Sequence, residues 1–90
     1  MFTIFAYDIS DDRKRRHVAS ILEDTAVRVQ NSVFESWLTK RETERLSGRL
    51  ERMLDTGDSL RVYVVSQNGL PRCRTFGGPE ISGTAGFLLV

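Results

Sequence analysis

The sequence predicts an α+β domain in which two helices cover one face of an antiparallel sheet, and three observations carry that reading. Apolar, β-prone runs open the chain and recur at residues 27–38 and 60–65. Two stretches with apolar residues at helical spacing separate them. Residues that cap helix N-termini stand just before each helical stretch.

The elements follow in order. Phe2-Thr3-Ile4-Phe5-Ala6-Tyr7 is an almost uninterrupted apolar run, as expected of a strand buried on both faces. It stops at Asp8. Ser10, Asp11 and Asp12 are N-cap candidates and place acidic charge where a helix N-terminus favours it. Val18, Ile21, Leu22 and Thr25 recur at helical spacing, predicting a helix of about 13 residues through Asp24. Val27 to Gln30 and Val33 to Leu38 read as two β segments, and the change of parity around Asn31-Ser32 predicts a bulge or tight turn. Thr39 and Glu42 have capping-box spacing and open a second helix with Leu46, Leu50, Met53 and Leu54 on its apolar stripe. Arg41, Glu44, Arg45, Arg49 and Arg52 take its wet side, and Asp55-Thr56-Gly57-Asp58 ends it. Leu60, Val62 and Val64 alternate with Arg61, Tyr63 and Val65 in a strand. Asn68-Gly69 forms a turn, with a further short strand at Arg72 to Phe76.

The order β-α-β-β-α-β is the split-βαβ, ferredoxin-like arrangement. Residues 1–78 form that domain. Gly77-Gly78-Pro79 is a break, and residues 79–90 are a tail whose end, Phe87-Leu88-Leu89-Val90, is too apolar to stay in water. That end is expected to dock on the parent sheet or as an added strand on a second subunit. The sheet face away from the helices carries one parity of the first strand plus Tyr63 and Val65, so a partner is expected to cover it.

Ninety residues make one small domain, which buries only about 60–65% of its unfolded surface, and dimerisation would help stabilise it. No apolar run is long enough to span a bilayer and no leader pattern opens the chain, so a cytoplasmic, membrane-free location is expected. Cys73 has no partner for an internal disulfide, and with His17 the only histidine no zinc cluster fits within one chain. The net charge is +1, yet 11 of the 13 basic residues are Arg. Arginine's planar fork fits phosphate, which suits a nucleic-acid partner; genomic base composition or thermostability would give the same bias.

Position alone favours Asp8 as a turn or pre-helix residue satisfied by backbone N–H groups over Asp8 as a metal-binding carboxylate. One carboxylate does not hold a catalytic metal alone, because Mg²⁺ keeps several waters and is fixed by one or two carboxylates plus substrate phosphate. A two-fold axis near the strand end would supply Asp8 twice. Arg13-Lys14-Arg15-Arg16 is the densest basic run, and four cations at a helix N-terminus oppose the helix dipole, which an anionic partner would relieve. Lys14 and Arg15 flank the apolar stripe; Arg13 and Arg16 point away from it. Arg28 shares parity with Gln30 and Ser32, lining a groove or facing water. Phe34 and Trp37 read as core or interface anchors.

Tyr7-Asp8-Ile9-Ser10-Asp11-Asp12-Arg13, followed by Arg28-Val29-Gln30-Asn31-Ser32-Val33-Phe34-Glu35, resembles the CRISPR-associated family known as Cas-two, the small subunit of the spacer-integration complex. The resemblance covers about residues 1–66 well and the tail loosely. It implies a ferredoxin-fold homodimer whose C-terminal strand crosses to the other subunit. It implies that Asp8 is the metal-binding aspartate, facing its two-fold mate, with Mg²⁺ (or Mn²⁺) as cofactor. It also implies that Arg15, Arg28 and Phe34 support nuclease activity together with Asp8; with the basic run read above, the residues expected to hold nucleic acid are Arg13, Lys14, Arg15, Arg16 and Arg28. His17 stands where some members have a further Arg. Three functions follow: a Mg²⁺-dependent endonuclease on RNA or double-stranded DNA, a non-catalytic adaptor that bridges the CRISPR integrase and grips protospacer DNA, and, more remotely, a ferredoxin-like regulatory or toxin-type dimer.

Overall fold

The computed structural model describes residues 2–65 and 71–77. Its elements are β1 (Phe2–Asp8), α1 (Asp12–Glu23), β2 (Val27–Gln30), β3 (Val33–Trp37), α2 (Lys40–Glu51), β4 (Ser59–Val65) and β5 (Pro71–Phe76). The four strands of the expected arrangement lie in the order β2-β3-β1-β4, and β5 adds to the free edge of β4, giving a five-stranded antiparallel sheet. The tail at Phe87–Val90, and the turn at Asn68-Gly69, lie outside the described residues.

Capping decides where the helices begin. Of the three candidates before α1, Asp11 is the N-cap, its side chain accepting from the Lys14 backbone N–H at 2.8 Å. At α2 the full capping box forms: Thr39 Oγ1 accepts from the Glu42 backbone N–H at 3.1 Å, and Glu42 accepts from the Thr39 N–H at 3.0 Å. That return bond, more than any other contact, holds the Glu42 carboxyl below its ordinary pKa.

Alternation sets the sheet's two faces. Thr3, Phe5 and Tyr7 of β1 point to the helices and are buried, and Phe5 lies opposite Phe34 of β3 and Val62 of β4 on that same face. Val18, Ile21 and Leu22 of α1 and Leu50 of α2 close the core over them. Each of these fully buried apolar side chains contributes roughly 1.5–3 kcal/mol relative to exposure. The other face carries half-buried Phe2, Ile4 and Ala6, with exposed Trp37 (77%) leaning on Phe2 at a centroid distance of 5.2 Å. Val27, 69% exposed, extends the same apolar face onto β2.

The anticipated irregularity between β2 and β3 is a register shift between Arg28 and Gln30, followed by the turn at Asn31-Ser32. A bulge turns the strand locally. Here it leaves the β2–β3 turn beside the end of β1, where the Tyr7 backbone N–H donates to the Ser32 carbonyl at 3.1 Å. At the far edge, Gly77 takes a φ of 72° against β4, where a Cβ would collide with the Asp58 carbonyl oxygen.

Candidate active site

The end of β1, the first turns of α1 and the β2–β3 hairpin enclose an open cleft of about 380 Å³. Asp8 stands at its mouth. Asp8 is the last residue of β1, lies opposite Ser59 in the ladder and is exposed because the strand runs out of the core there. No hydrogen bond or ion pair engages its carboxylate among the described residues.

Three cationic side chains face the same cleft: Arg15 and Arg16 from α1 and Arg28 from β2. Arg15 is anchored, its Nη1 donating to the Ile9 carbonyl at 3.1 Å and its other amine paired with Asp12. Arg28 donates to Glu23 at 3.3 Å, and its guanidinium lies 5.2 Å from the centre of the Phe34 ring. Phe34 has no exposed surface, so it forms the floor beneath Arg28 and does not reach into the cleft.

The helical wheel of the basic run is realised: Arg13 and Arg16 are exposed while Lys14 and Arg15 are half-buried. Arg16 lines the cleft and Arg13 does not. Lys14 is engaged elsewhere, paired with Asp55 and 3.8 Å from Asp58. The bond to Asp55 is the main cause that raises the Lys14 pKa above its ordinary value. His17 is exposed.

A family profile described as CRISPR associated protein Cas2 matches residues 1–72. The chain belongs to the Cas2 family. It is 44% identical over 78 residues to the CRISPR-associated endoribonuclease Cas2 3 of Chloroflexus aurantiacus, covering 86% of this chain and 84% of that one. It is 48% identical over 62 residues to the CRISPR-associated endonuclease Cas2 2 of Thermus thermophilus, covering 68% and 69%. The crystal structure of Streptococcus pyogenes Cas2 at pH 6.5 superposes with a TM-score of 0.66 at 35% identity, over 76% of this chain and 89% of that one. The ferredoxin-like fold and the family expected from the two sequence motifs are thus both found.

Two parts of this Cas2 site escape the sequence reading. Tyr7 lines the cleft wall, its ring stacked on Phe34 at 6.3 Å and its hydroxyl donating to the Asn31 carbonyl at 3.3 Å. Burial pushes its phenol pKa up, and the charges of Arg28 and Arg15 oppose the rise. The signal available was its polar tip at the end of an apolar strand, directly before Asp8. Asp58 is the second. It is buried, accepts from the Asp55 N–H at 2.9 Å and the Ser10 N–H at 3.4 Å, and so ties the α2–β4 loop to the segment just after Asp8. The hydrogen bond from the Asp55 backbone is the leading cause that lowers its pKa, burial opposing.

For a divalent cation, the donor set of one chain is incomplete. Among the described residues no three His, Cys, Asp or Glu side chains gather to hold a metal. Asp8 nonetheless offers a hard, exposed carboxylate without a protein partner, beside cations able to hold phosphate. That suits Mg²⁺, which takes one or two carboxylates and completes its shell with water and substrate oxygens.

Proposed function

We propose that this Cas2 protein acts as a homodimeric, Mg²⁺-dependent endonuclease that hydrolyses phosphodiester bonds of RNA or double-stranded DNA, with Asp8 of both chains facing one metal. Family membership makes it a CRISPR adaptation protein; the chemistry, dimer and integrase partner are the proposal. The observation that carries it is the unpartnered Asp8 carboxylate set in a cleft with Arg15, Arg16 and Arg28. The names of the Chloroflexus and Thermus relatives, endoribonuclease and endonuclease, point to the same reaction class.

The residues divide the work by geometry. Arg15, held by Ile9 and Asp12, and Arg28, held over Phe34, present guanidinium groups that neutralise and orient a phosphodiester. Arg16 adds charge from the exposed side of α1, and Arg13 extends it outside the cleft. Phe34 positions Tyr7 and Arg28 from beneath. Asp8 is the ligand for Mg²⁺ or Mn²⁺, with its two-fold mate as the second carboxylate. When bound, the ion activates a water and offsets charge on the phosphoryl oxygens. The open sheet face around Phe2 and Trp37 is the surface through which two chains would meet, and the protein would work in the cytoplasm. No helix among the described residues is long and apolar enough to cross a membrane.

One observation favours a second reading. The cleft holds one carboxylate but three cations, a balance better suited to gripping a backbone than to assembling a metal centre. A non-catalytic adaptor that holds protospacer DNA for the CRISPR integrase would need only the cations. Purified protein with Asp8→Asn separates the two. The nuclease reading predicts that Mg²⁺-dependent cleavage falls to background while duplex binding persists; cleavage equal to wild type overturns it. Spacer acquisition that survives in an Asp8→Asn strain would assign the cellular role to the adaptor.

A further inference from the structure

Among the described residues Asp58 is the only buried charged side chain, and the proposed chemistry leaves it unused. It is 6% exposed and lies in the turn that enters β4. The turn closes on itself: the Asp58 backbone N–H donates to the Asp55 carbonyl at 3.0 Å, and the Asp55 N–H donates to Asp58 Oδ2 at 2.9 Å. An aspartate in a turn ordinarily makes such a bond, and it occupies one carboxylate oxygen. The other oxygen reaches 48 residues back along the chain, where it accepts from the Ser10 backbone N–H at 3.4 Å. Lys14 Nζ stands 3.8 Å from Oδ2 and is also paired with Asp55.

These contacts enclose the backbone of Asp8. In the β1–β4 ladder Asp8 lies opposite Ser59, the residue after Asp58. The bond to Ser10 therefore closes a short ring, with Asp8, Ile9 and Ser10 on one side and Asp58 and Ser59 on the other. The Asp8 carboxylate has no hydrogen bond or ion pair of its own among the described residues, so the backbone of this ring sets its direction. Ile9, inside the ring, is buried, and its carbonyl accepts from Arg15 Nη1 at 3.1 Å. The same ring thus seats the cation that shares the cleft with Asp8. Asp58 is also held from the far edge of the sheet, where Gly77 lies so close that a Cβ would overlap the Asp58 carbonyl oxygen.

We propose that Asp58 is a positioning residue for the metal site: through its bonds to Ser10 and to its own turn it fixes the direction of the Asp8 carboxylate and the seat of Arg15. A carboxylate suits this task because its two oxygens accept from two chain segments at once, and its buried charge is offset by both N–H groups and by the Lys14 ammonium. Asparagine would turn an NH₂ group toward one of the two donors, and alanine would accept from neither. Metal-binding carboxylates depend on such supporting contacts, and removing them typically weakens metal binding about 10- to 100-fold. Lys14 completes the clamp from α1. The inference rests on Asp8 being the metal ligand, as in the proposed function, but not on cleavage of nucleic acid.

The test is the Mn²⁺ affinity of the purified protein, read from the electron paramagnetic resonance signal of free Mn²⁺ at neutral pH and well below each variant's melting temperature. Wild type is compared with Asp58→Ala and with Asp58→Asn, which keeps the volume of the side chain and so removes the bonds from a chain that still folds. Thr39→Ala, which loosens the start of α2 away from the cleft, is the control for lost stability. Asp58→Ala should bind Mn²⁺ roughly tenfold or more weakly than wild type, with Asp58→Asn between the two. Thr39→Ala should bind as wild type does although it melts lower. A purely structural role for Asp58 predicts lower melting temperatures with wild-type Mn²⁺ affinity in both Asp58 variants, and that result overturns the proposal. Equal weakening in Thr39→Ala overturns it as well, because the loss would then follow stability and not position. Mn²⁺ binding that is absent in wild type, or unchanged in Asp8→Asn, overturns Asp8 as the ligand and this role of Asp58 with it. Binding that depends on Asp8 but not on Asp58 overturns only the role of Asp58.

Discussion

Replacing Phe34 by Leu tests how the cleft is held together, because Phe34 is fully buried and yet touches two cleft side chains. The substitution keeps the site apolar and loses three things. Its stacking with Tyr7 is worth about 0.5–1.5 kcal/mol. Its contact beneath the half-exposed Arg28 guanidinium is worth about 0.5–1 kcal/mol. Imperfect refilling of the space adds less than about 1.5 kcal/mol. The expected loss is therefore about 2 kcal/mol, a fall of roughly 10 °C in melting temperature for a domain of this size. Urea unfolding at fixed protein concentration measures it. A double-mutant cycle with Arg28→Ala should show a coupling of about 0.5–1 kcal/mol, and the two substitutions should be non-additive in cleavage rate as well. A loss under about 0.5 kcal/mol, or strict additivity, would show that Phe34 does not hold Arg28, and its position beneath the cleft would then have no functional consequence.

The remaining predictions concern capping, pH and association. Thr39→Ala removes the capping box of α2 and should cost about 1 kcal/mol in thermal unfolding, while Thr39→Ser stays near wild type. Asp58 has a folded pKa below its unfolded value, so its contribution is complete above pH about 4 and is lost as pH falls through the lowered value. The melting-temperature gap between wild type and Asp58→Asn should thus be constant from pH 7 to about 5 and narrow as pH falls below about 4; a gap that widens as the pH falls would contradict this. Trp37→Glu alters a side chain 77% exposed in the single chain and should leave the monomer fold intact while shifting sedimentation from dimer to monomer.

The parts of the molecule legible in the sequence are those set by local rules. The apolar run that stops at Asp8, the Thr39/Glu42 box and the wheel that splits Arg13 and Arg16 from Lys14 and Arg15 all depend on residues within one or two turns of each other. What stayed hidden depends on distant partners. The engagement of Lys14 comes from Asp55, 41 residues away, and nothing near Lys14 foretells it. Tyr7 becomes a cleft residue because the β2–β3 hairpin returns beside β1 and places Asn31 against its hydroxyl. The inner face of α2 includes buried Thr43 and Ser47, which a hydrophobic stripe passes over. The pairing of β5 with β4 extends the sheet past the four strands of the basic arrangement, a register that edge-strand propensity alone does not fix.

The proposal that Asp8 serves one shared metal makes a stoichiometric demand. Mn²⁺ titrated into the purified protein and followed by electron paramagnetic resonance should bind at one ion per two chains, and Asp8→Asn should abolish that binding with the dimer still formed. One ion per chain, or binding unchanged in Asp8→Asn, would contradict a metal centre built from two copies of Asp8.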